Sequence, residues 1–249
     1  LYCSVDDNPT IISSTRTLTW TVTDANSDGV GARSSLAATS QITLQPINNA
    51  PTLTNLPGTA VAYTEGSSGV VLASGVSVTD LDDTALASAT VSIKAGFTSG
   101  DTLAVGSNLI GTGITASYDA TTGQLHMTGS ASKAQYQTAL RSILFSSTSH
   151  DPTTIATARS IEWSVADANN AGVGAQSSAV ATIQVSVTPV GDPPVITTGA
   201  SATYALGAVA SLVQSGISVS DADDLYISGG TVTISTGLVS GDTPGLSDT

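Results

Sequence analysis

The stretch LTWTVTDANSDGVGARSS, residues 18–35, decides the architecture because it returns as IEWSVADANNAGVGAQSS at residues 161–178. The offset is 143, measured from Trp20 to Trp163, and it holds without a gap over residues 1–46. Self-similarity at a long fixed offset is typical of a chain built from tandem repeats, in which each repeat is one structural unit.

A second similarity fixes the boundaries of the repeat. GVSVTDLDD at residues 75–83 matches GISVSDADD at residues 216–224, at an offset of 141. The two offsets together predict a repeat of about 143 residues. The predicted domains are the C-terminal part of one repeat at 1–46, a complete repeat at 47–189 and the N-terminal part of a third at 190–249.

Apolar residues alternate with threonine and serine in the matching stretches. Leu18, Trp20 and Val22 are separated by threonines, which predicts a β-strand with one buried face and one solvated face. Trp20 and Trp163 occupy equivalent positions in this pattern, so both are predicted to lie in a core.

One short helix is predicted in each repeat. Ser132 followed by Gln135 has the spacing of a capping box, and Tyr136, Leu140 and Ile143 recur on one helical face.

The stretch YDATTGQLHMTG, residues 118–129, predicts a β-hairpin with a turn at 119–123 and buried Leu125 and Met127. Apart from the single helix, the chain is therefore predicted to be all-β.

Composition limits the classes of partner. The 249 residues are 40% hydrophobic and only 10% charged, with 6 Lys+Arg against 19 Asp+Glu and a net charge of −13. A field of this sign repels nucleic acid and anionic membranes and attracts cations. No stretch approaches the ~18 uninterrupted apolar residues of a membrane span, so no membrane insertion is predicted for this segment.

Aspartates are concentrated at two strand ends. Asp80, Asp82 and Asp83 follow one predicted strand, and Asp221, Asp223 and Asp224 follow its counterpart. Three carboxylates within four residues repel one another unless a cation or protons compensate them, and Ca²⁺ prefers such hard oxygen ligands. The alternative is local capping of a turn, which one aspartate suffices to provide. Capping is the expected role of Asp101, Asp119 and Asp242.

Several motifs in a fixed order carry a resemblance to a known family. They are INNAPTL (47–53), YTEG (63–66), the V-x-V-x-D-x-D-D strand end, YDATTGQL (118–125), AQYQTALRSILFSS (134–147) and W-x-V-x-D-A-N. This combination resembles the cadherin-like tandem repeats of very large bacterial surface proteins and secreted adhesins. The resemblance implies tandem Ig/cadherin-like β-sandwiches, on the outside of the cell, with Ca²⁺ at the junctions between repeats.

By analogy with cadherin junctions, Asp80 and Asp82 would face the linker at 46–51, while Asp221 and Asp223 would meet Asp192 and Glu65. The candidate metal ligands that follow are Asn49, Glu65, Asp80, Asp82, Asp83, Asp192, Asp221, Asp223 and Asp224.

A further acidic loop, residues 24–29 (DANSDG), imitates the first half of an EF-hand loop. Its twelfth position is Ser35 rather than glutamate, and its copy at 167–172 has lost one acid. We therefore predict a hairpin loop in both places.

No catalytic residue is predicted. His126 and His150 have no surrounding nucleophile, zinc or phosphate motif, so each is expected to be a satisfied or solvated histidine.

Two functions remain: a structural spacer in a surface adhesin, fibre or envelope matrix such as a biofilm, and an adhesive module that binds carbohydrate or a protein of a host or neighbouring cell. The expected partners are neighbouring repeats or further copies of the chain in a linear array or filament, besides cell-surface or matrix components. The incomplete repeats would be completed by the same polypeptide or by another subunit.

Overall fold

The computed structural model of the chain describes residues 1–6, 9–10, 12–170, 172–214 and 216–245. The strands are β1 (Thr15–Trp20), β2 (Ala38–Thr43), β3 (Thr52–Thr54), β4 (Val61–Thr64), β5 (Val70–Val71), β6 (Ser77–Thr79), β7 (Ala85–Ala95), β8 (Asp101–Val105), β9 (Thr115–Asp119), β10 (Gln124–Ser132), β11 (Ile143–Ser147), β12 (Ala158–Asp167), β13 (Ala181–Thr188), β14 (Val195–Thr197) and β15 (Ser218–Ser220). Among the described residues the one helix is α1 (Lys133–Arg141).

The central part of the chain forms a β-sandwich, which we call the central module (residues 47–189). One sheet has six strands in the order β4-β13-β12-β7-β10-β9, and the other has three in the order β5-β11-β8. Tyr63 on β4 and Phe145 on β11 make an edge-to-face contact with ring centroids 5.1 Å apart, so the two sheets face each other. The predicted all-β sandwich with one short helix is confirmed.

The hydrophobic core lies entirely within this module, between Tyr63 and Val187. Every second residue of β12 faces it, including Ile161, Trp163 and Val165. This period of two is the one that the sequence shows, because successive side chains of a strand point to opposite faces. The prediction of a core position for Trp163 is confirmed.

A buried ion pair lies beside the core. Arg159 and Asp101 are fully buried, and Arg159 Nε donates to Asp101 Oδ2 at 2.6 Å. The guanidinium also donates to the carbonyls of Ala156 and Pro152, each at 2.6 Å, and Asp101 Oδ2 accepts the N–H of Thr98 at 2.9 Å. Asp101 therefore does cap a turn as predicted, and its second role as the partner of Arg159 was not predicted.

Helix α1 begins as predicted. Ser132 is its N-cap and Gln135 closes a reciprocal capping box, while Tyr136 and Leu140 are buried. The assignment of Ile143 to the helical face is wrong, because the helix ends at Arg141 and Ile143 is the first residue of β11. Ile143 is buried nonetheless, as a strand residue.

The predicted hairpin joins β9 to β10 with Gln124 opposite Asp119, and Leu125 and Met127 are buried. Asp119 caps its turn by accepting the N–H of Thr121 at 2.8 Å, as predicted. Gly129 sits at a bulge in β10 with φ +122°, where a Cβ atom would lie 2.0 Å from the carbonyl oxygen of Gly113.

The described residues of the two flanking segments, 1–46 and 190–249, form two-stranded pieces. The first holds the hairpin β1–β2 and the second the pair β14–β15. The core position predicted for Trp20 is wrong: 60% of this residue is exposed, whereas 1% of Trp163 is. The reason is that β1 pairs only with β2, while β12 is covered by β7 as well as β13.

Among the described residues, no helix is long and apolar enough to cross a membrane.

Candidate metal centre

The turn that follows β6 is organised by Asp80. Its Oδ1 atom accepts the backbone N–H of Asp82 at 3.1 Å and of Asp83 at 2.8 Å, so the three acidic residues wrap around one carboxylate. The ammonium group of Lys133, at the start of α1, donates to the carbonyl oxygen of Asp80 at 2.7 Å. The second carboxylate oxygen of Asp80 takes no part in the hydrogen bonds of this turn.

Two further carboxylates lie beside it. Asp83 is buried and its Oδ1 atom accepts the N–H of Asn170 at 2.6 Å. Asp167, the last residue of β12, is fully buried. One oxygen from each of Asp80, Asp83 and Asp167 lies within 4.8 Å of the other two, so three strand ends bring three carboxylates to one place.

Asp167 is held by three donors. Its Oδ1 accepts the N–H of Asn169 at 3.0 Å, and its Oδ2 accepts the N–H of Gln176 at 2.9 Å and the side-chain amide of Asn48 at 2.7 Å. Asn48 belongs to the linker that precedes the module. The linker and the hairpin β12–β13 are therefore fastened to each other through this carboxylate.

Three oxygens of this group have no hydrogen-bond partner among the described residues. They are Asp80 Oδ2, Asp83 Oδ2 and Asn48 Oδ1, and all three are buried. Buried polar atoms in folded proteins are nearly always paired, so these three unpaired oxygens fit a ligand that takes up electron pairs. Carboxylate and amide oxygens are the ligands that Ca²⁺ prefers, and the residues present fit that ion.

The electrostatics agree with this chemistry. Burial raises the pKa of Asp80 above its usual range, and the side chain of Asp82 raises it further. Burial also raises the pKa of Asp83, with additional contributions from the negative charges of Asp167 and Asp82. The carboxylates are thus unfavourable in their charged forms, and a divalent cation would remove that penalty.

The three predicted ligands after β6 have two different roles in the structure: two belong to the carboxylate group and one binds the linker. Asp80 and Asp83 join Asp167 in the carboxylate group, whereas Asp82 accepts the backbone N–H of Asn49 at 3.2 Å (Oδ1) and 3.0 Å (Oδ2). Asp82 therefore does face the linker, as the analogy with cadherin junctions implies. The atom of Asn49 that makes this contact is its backbone nitrogen.

The third repeat reproduces the same turn. Asp221 Oδ1 accepts the N–H groups of Asp223 at 3.2 Å and Asp224 at 3.0 Å, and Asp223 accepts the N–H of Asp192 at 3.2 Å (Oδ1) and 3.1 Å (Oδ2). The three acids form a second carboxylate group. Gly191 stands where the first turn has Asn48, so no side-chain amide lies at the equivalent place.

Hydrogen bonds are the main cause of the pKa shifts in this second carboxylate group. The N–H of Asp224 lowers the pKa of Asp221, and the hydrogen bond with Asp221 raises the pKa of Asp223.

The linker side of this junction holds a third group. His150 Nδ1 lies 2.9 Å from Asp192 Oδ2, and Glu65 Oε2 accepts the N–H of Val190 at 2.9 Å. One ligand atom from each of Glu65, His150 and Asp192 lies within 4.8 Å of the other two. The structure thus brings Glu65 and Asp192 together in a group separate from Asp221, Asp223 and Asp224, whereas the analogy with cadherin junctions implies that Glu65 lies with Asp221 and Asp223 as well.

Three residues of these groups, Asp167, Asn48 and His150, are not among the ligands predicted from the sequence. The sequence pattern predicts a hairpin loop at Asp167, although its position at the end of an alternating strand, like that of Asp80, is a usable signal. Asn48 carries no such signal beyond its place in the linker. The signal for His150 is its alignment with an acidic residue, Asp7, at the offset of 143; Asp7 lies outside the described residues.

The hairpin interpretation of the two DAN loops is confirmed. Asp24 Oδ1 accepts the N–H of Asn26 at 3.0 Å, as Asp167 does from Asn169, and the two asparagines have positive φ values of 51° and 54°. Ala171 of the second loop lies outside the described residues.

His126 is exposed and its ring nitrogens lie 2.7 Å from Gln124 Oε1 and 3.3 Å from Thr90 Oγ1, which agrees with a solvated surface histidine.

Comparison with known proteins gives two similarities. No family model matches the sequence. Halomucin of Haloquadratum walsbyi (strain DSM 16790 / HBSQ001) is 36% identical over 124 residues, which is 47% of this chain and 1% of halomucin. This chain therefore spans a very small part of the length of that relative. The crystal structure of human protocadherin-24 EC1-2 (form II) overlaps with 72% of this chain and 68% of its own, with 15% identity and a TM-score of 0.28, which is too low to carry an argument.

Proposed function

We propose that this chain is a structural repeat segment of an extracellular surface protein, a spacer in an adhesin, fibre or envelope matrix, and that Ca²⁺ bound at the repeat junctions makes it rigid. The observation that carries the calcium proposal is the set of three buried, unpaired oxygens on Asp80, Asp83 and Asn48. The internal repeat and the similarity to a short stretch of halomucin support the role of a spacer.

The ligands of this proposal come from one end of the module and from its linker. Asp80, Asp83 and Asp167 would supply carboxylate oxygens and Asn48 its amide oxygen. When bound, Ca²⁺ would supply the positive charge that these groups lack. Because Asn48 lies on the linker, binding would couple the linker to the sandwich and restrict bending between repeats.

The hydrogen bonds between Asp82 and Asn49 serve the same purpose without a metal. They fix the linker backbone at the edge of the acidic turn. The matching hydrogen bonds between Asp223 and Asp192 place the next linker in the same way. A repeated attachment of this kind suits a spacer, in which every junction carries out one mechanical task.

The alternative, an adhesive module for carbohydrate, is less well supported. The exposed aromatic ring of Trp20 would be its natural platform, but the equivalent Trp163 is buried in the core of a complete repeat. The equivalent loops of the two copies also make matching hydrogen bonds, whereas a recognition loop would differ from its neighbours.

The calcium proposal is tested by thermal unfolding of the full chain in EDTA and in CaCl₂, with binding measured by calorimetry. We expect calcium to stabilise the module by about 2.7 kcal/mol at a concentration one hundred times the dissociation constant. Asp83→Asn and Asp167→Asn keep the side-chain shape and should remove most of this response. Asp28→Asn, at an exposed loop, is the matched control and should retain it.

Identical melting of the wild-type chain in EDTA and CaCl₂ would exclude the metal site. The spacer role has a separate measurement, because small-angle scattering reports the distribution of particle lengths. We expect calcium to narrow that distribution, and a distribution unchanged by saturating calcium would contradict the rigidifying role.

A further inference from the structure

The two histidines of the chain have different surroundings. His126 is exposed on β10, and its ring nitrogens lie beside the neutral side chains of Gln124 and Thr90. His150 lies in the loop after β11, and its Nδ1 atom is 2.9 Å from Oδ2 of Asp192. His150 is therefore the histidine whose ring nitrogen is placed beside a carboxylate.

Glu65 completes this arrangement, and we call the three residues Glu65, His150 and Asp192 the His150 group. One ligand atom of each lies within 4.8 Å of the other two. The members come from three separate parts of the chain, which are the turn after β4, the loop after β11 and the linker after β13. Sequence neighbours form the acidic turns, whereas the fold of the sandwich brings the His150 group together.

Backbone hydrogen bonds hold two members of the group in place. The N–H of Glu65 donates to the carbonyl of Thr188 at 3.0 Å, and Glu65 Oε2 accepts the N–H of Val190 at 2.9 Å. The N–H of Asp192 donates to the two carboxylate oxygens of Asp223 at 3.2 Å (Oδ1) and 3.1 Å (Oδ2). The linker backbone is thus fixed on both sides of the point where the side chains meet.

The ligand atoms of the His150 group differ in kind from those of the acidic turns. The acidic turns offer oxygen atoms, which suit Ca²⁺. The His150 group offers an imidazole nitrogen together with carboxylate oxygens from Glu65 and Asp192. Imidazole with carboxylate suits Zn²⁺ and other divalent transition metals, and two carboxylates balance the charge of such an ion.

The distances in the His150 group fit this class of ion. Ligand atoms about 2.0–2.2 Å from a tetrahedral Zn²⁺ lie about 3.3–3.6 Å from one another. His150 Nδ1 and Asp192 Oδ2 are 2.9 Å apart, so a small rotation of either side chain gives the separation of two zinc ligands. His150 is exposed and the two acids are half-buried, so this adjustment does not disturb the core.

The imidazole is specific to the junction after the central module. At the offset of 143 the counterparts of His150 and Asp192 are Asp7 and Asn49, so the earlier copy has an acid in place of the imidazole and an amide in place of the acid. The two junctions therefore differ in the type of ligand that their sequences supply.

We propose that Glu65, His150 and Asp192 bind a divalent transition-metal ion of the Zn²⁺ type, and that this ion fastens the linker after the central module to the loop after β11. Because the backbone of Asp192 also holds Asp223, the ion connects the module, the linker and the next acidic turn. This inference goes beyond the calcium proposal, since it assigns a different ion to a different set of residues, and neither proposal requires the other.

The test is a calorimetric titration of the full chain with Zn²⁺ in saturating CaCl₂, which occupies sites that prefer hard cations. A Cys3→Ser background is used because the exposed thiol of Cys3 is itself a potential zinc ligand. We expect one zinc ion per chain, and His150→Ala and Glu65→Gln should each weaken binding by about tenfold or more. His126→Ala removes the other histidine and is the matched control, which should bind zinc like the parent chain.

Nuclear magnetic resonance of the histidine rings identifies the ligand directly. Zinc should shift the ring resonances of His150 and leave those of His126 in place. Asp83→Asn should lose the calcium response and keep zinc binding, whereas His150→Ala should do the reverse, so the two metal proposals fail separately. Equal zinc affinity of the parent and His150→Ala, or zinc binding that saturating CaCl₂ abolishes, would overturn the inference.

Discussion

Trp163 and Trp20 occupy the same position of the same motif, yet one is buried and the other is exposed. The hairpins that carry them have the same register, pair for pair, over six residues. The difference lies in the neighbouring strand: β12 is covered by β7, whereas in the described part of the chain β1 pairs with β2 alone. The local sequence therefore determines the hairpin, whereas burial depends on the neighbouring strands of the central module.

Arg159 of the central module and Arg16 of the first segment show the same difference in their ion pairing. Arg159 and Arg16 donate to equivalent backbone carbonyls, so the turn around each one is formed locally. Among the described residues Arg159 pairs with Asp101, which belongs to β8, and Arg16 forms no ion pair. Substitutions at equivalent positions in the two segments should consequently have unequal effects.

The largest effect is expected for Arg159→Ala. This change leaves the buried Asp101 without its cation, and removal of one partner of a buried pair costs about 5 kcal/mol at the upper end of its range. Arg16→Ala should change the stability of the module by less than about 0.5 kcal/mol, as is usual for surface positions. Urea unfolding under monomeric conditions, followed by Trp163 fluorescence in a Trp20→Phe background, measures both. Equal losses would show that the flanking segment and the module unfold as one unit.

Trp163→Ala should destabilise the module by about 4 kcal/mol, because it empties a large core position. Trp20→Ala removes a side chain that β1 leaves exposed, so the expected loss is below about 0.5 kcal/mol. Circular dichroism follows both unfolding transitions without requiring either tryptophan. A small loss for Trp163→Ala would contradict the placement of this ring at the centre of the core.

A smaller effect is expected at the start of α1, which has no counterpart in either flanking segment. Ser132→Ala removes the N-cap and one side of the capping box, at a cost of about 1 kcal/mol. Thr138→Ala, in the same helix, should be neutral or stabilising by a few tenths of a kcal/mol, because alanine has the higher helix propensity. Thermal unfolding of the two variants should therefore give shifts of the melting temperature that differ in size and direction.

The comparison between the central module and the first segment also explains which parts of the structure can be predicted from the sequence. Strands, the hairpin turn and the capping box depend on short-range patterns, and these were predicted correctly. The burial of a residue at the position of Trp20 depends on strands far away in the chain, and no local pattern reveals whether such a strand lies beside it. The carboxylate group shows the same division: Asp80 and Asp83 are recognisable because they are neighbours in sequence, whereas Asp167 joins them only through the pairing of β12 with β7.

The last prediction is the direction in which the buried carboxylates of the module make its stability change with pH. The pKa values of Asp80 and Asp83 are raised above the ordinary value of 3.8, chiefly by burial. Between that value and the raised pKa, the folded chain binds more protons than the unfolded chain. The contribution of these groups to the free energy of unfolding therefore falls as pH rises through this interval. In EDTA, the double variant Asp80→Asn/Asp83→Asn should not show this decrease of stability with rising pH. Its stability relative to the wild type should therefore increase with pH.

Calcium should reverse the trend in the wild-type chain. The ion binds the charged carboxylates, so in saturating CaCl₂ the loss of protons with rising pH favours binding and the stability contribution rises. Urea unfolding at several pH values between about 4 and 7, in EDTA and in CaCl₂, measures the difference between wild type and double variant, which cancels the titration of all other groups. The half-buried copy at Asp221 and Asp223 serves as the comparison, because Asp221→Asn/Asp223→Asn should leave the pH slope of the module's stability unchanged. If the stability difference between the wild type and the double variant changes with pH in the same direction in EDTA and in CaCl₂, the buried carboxylates are compensated within the protein rather than by a cation.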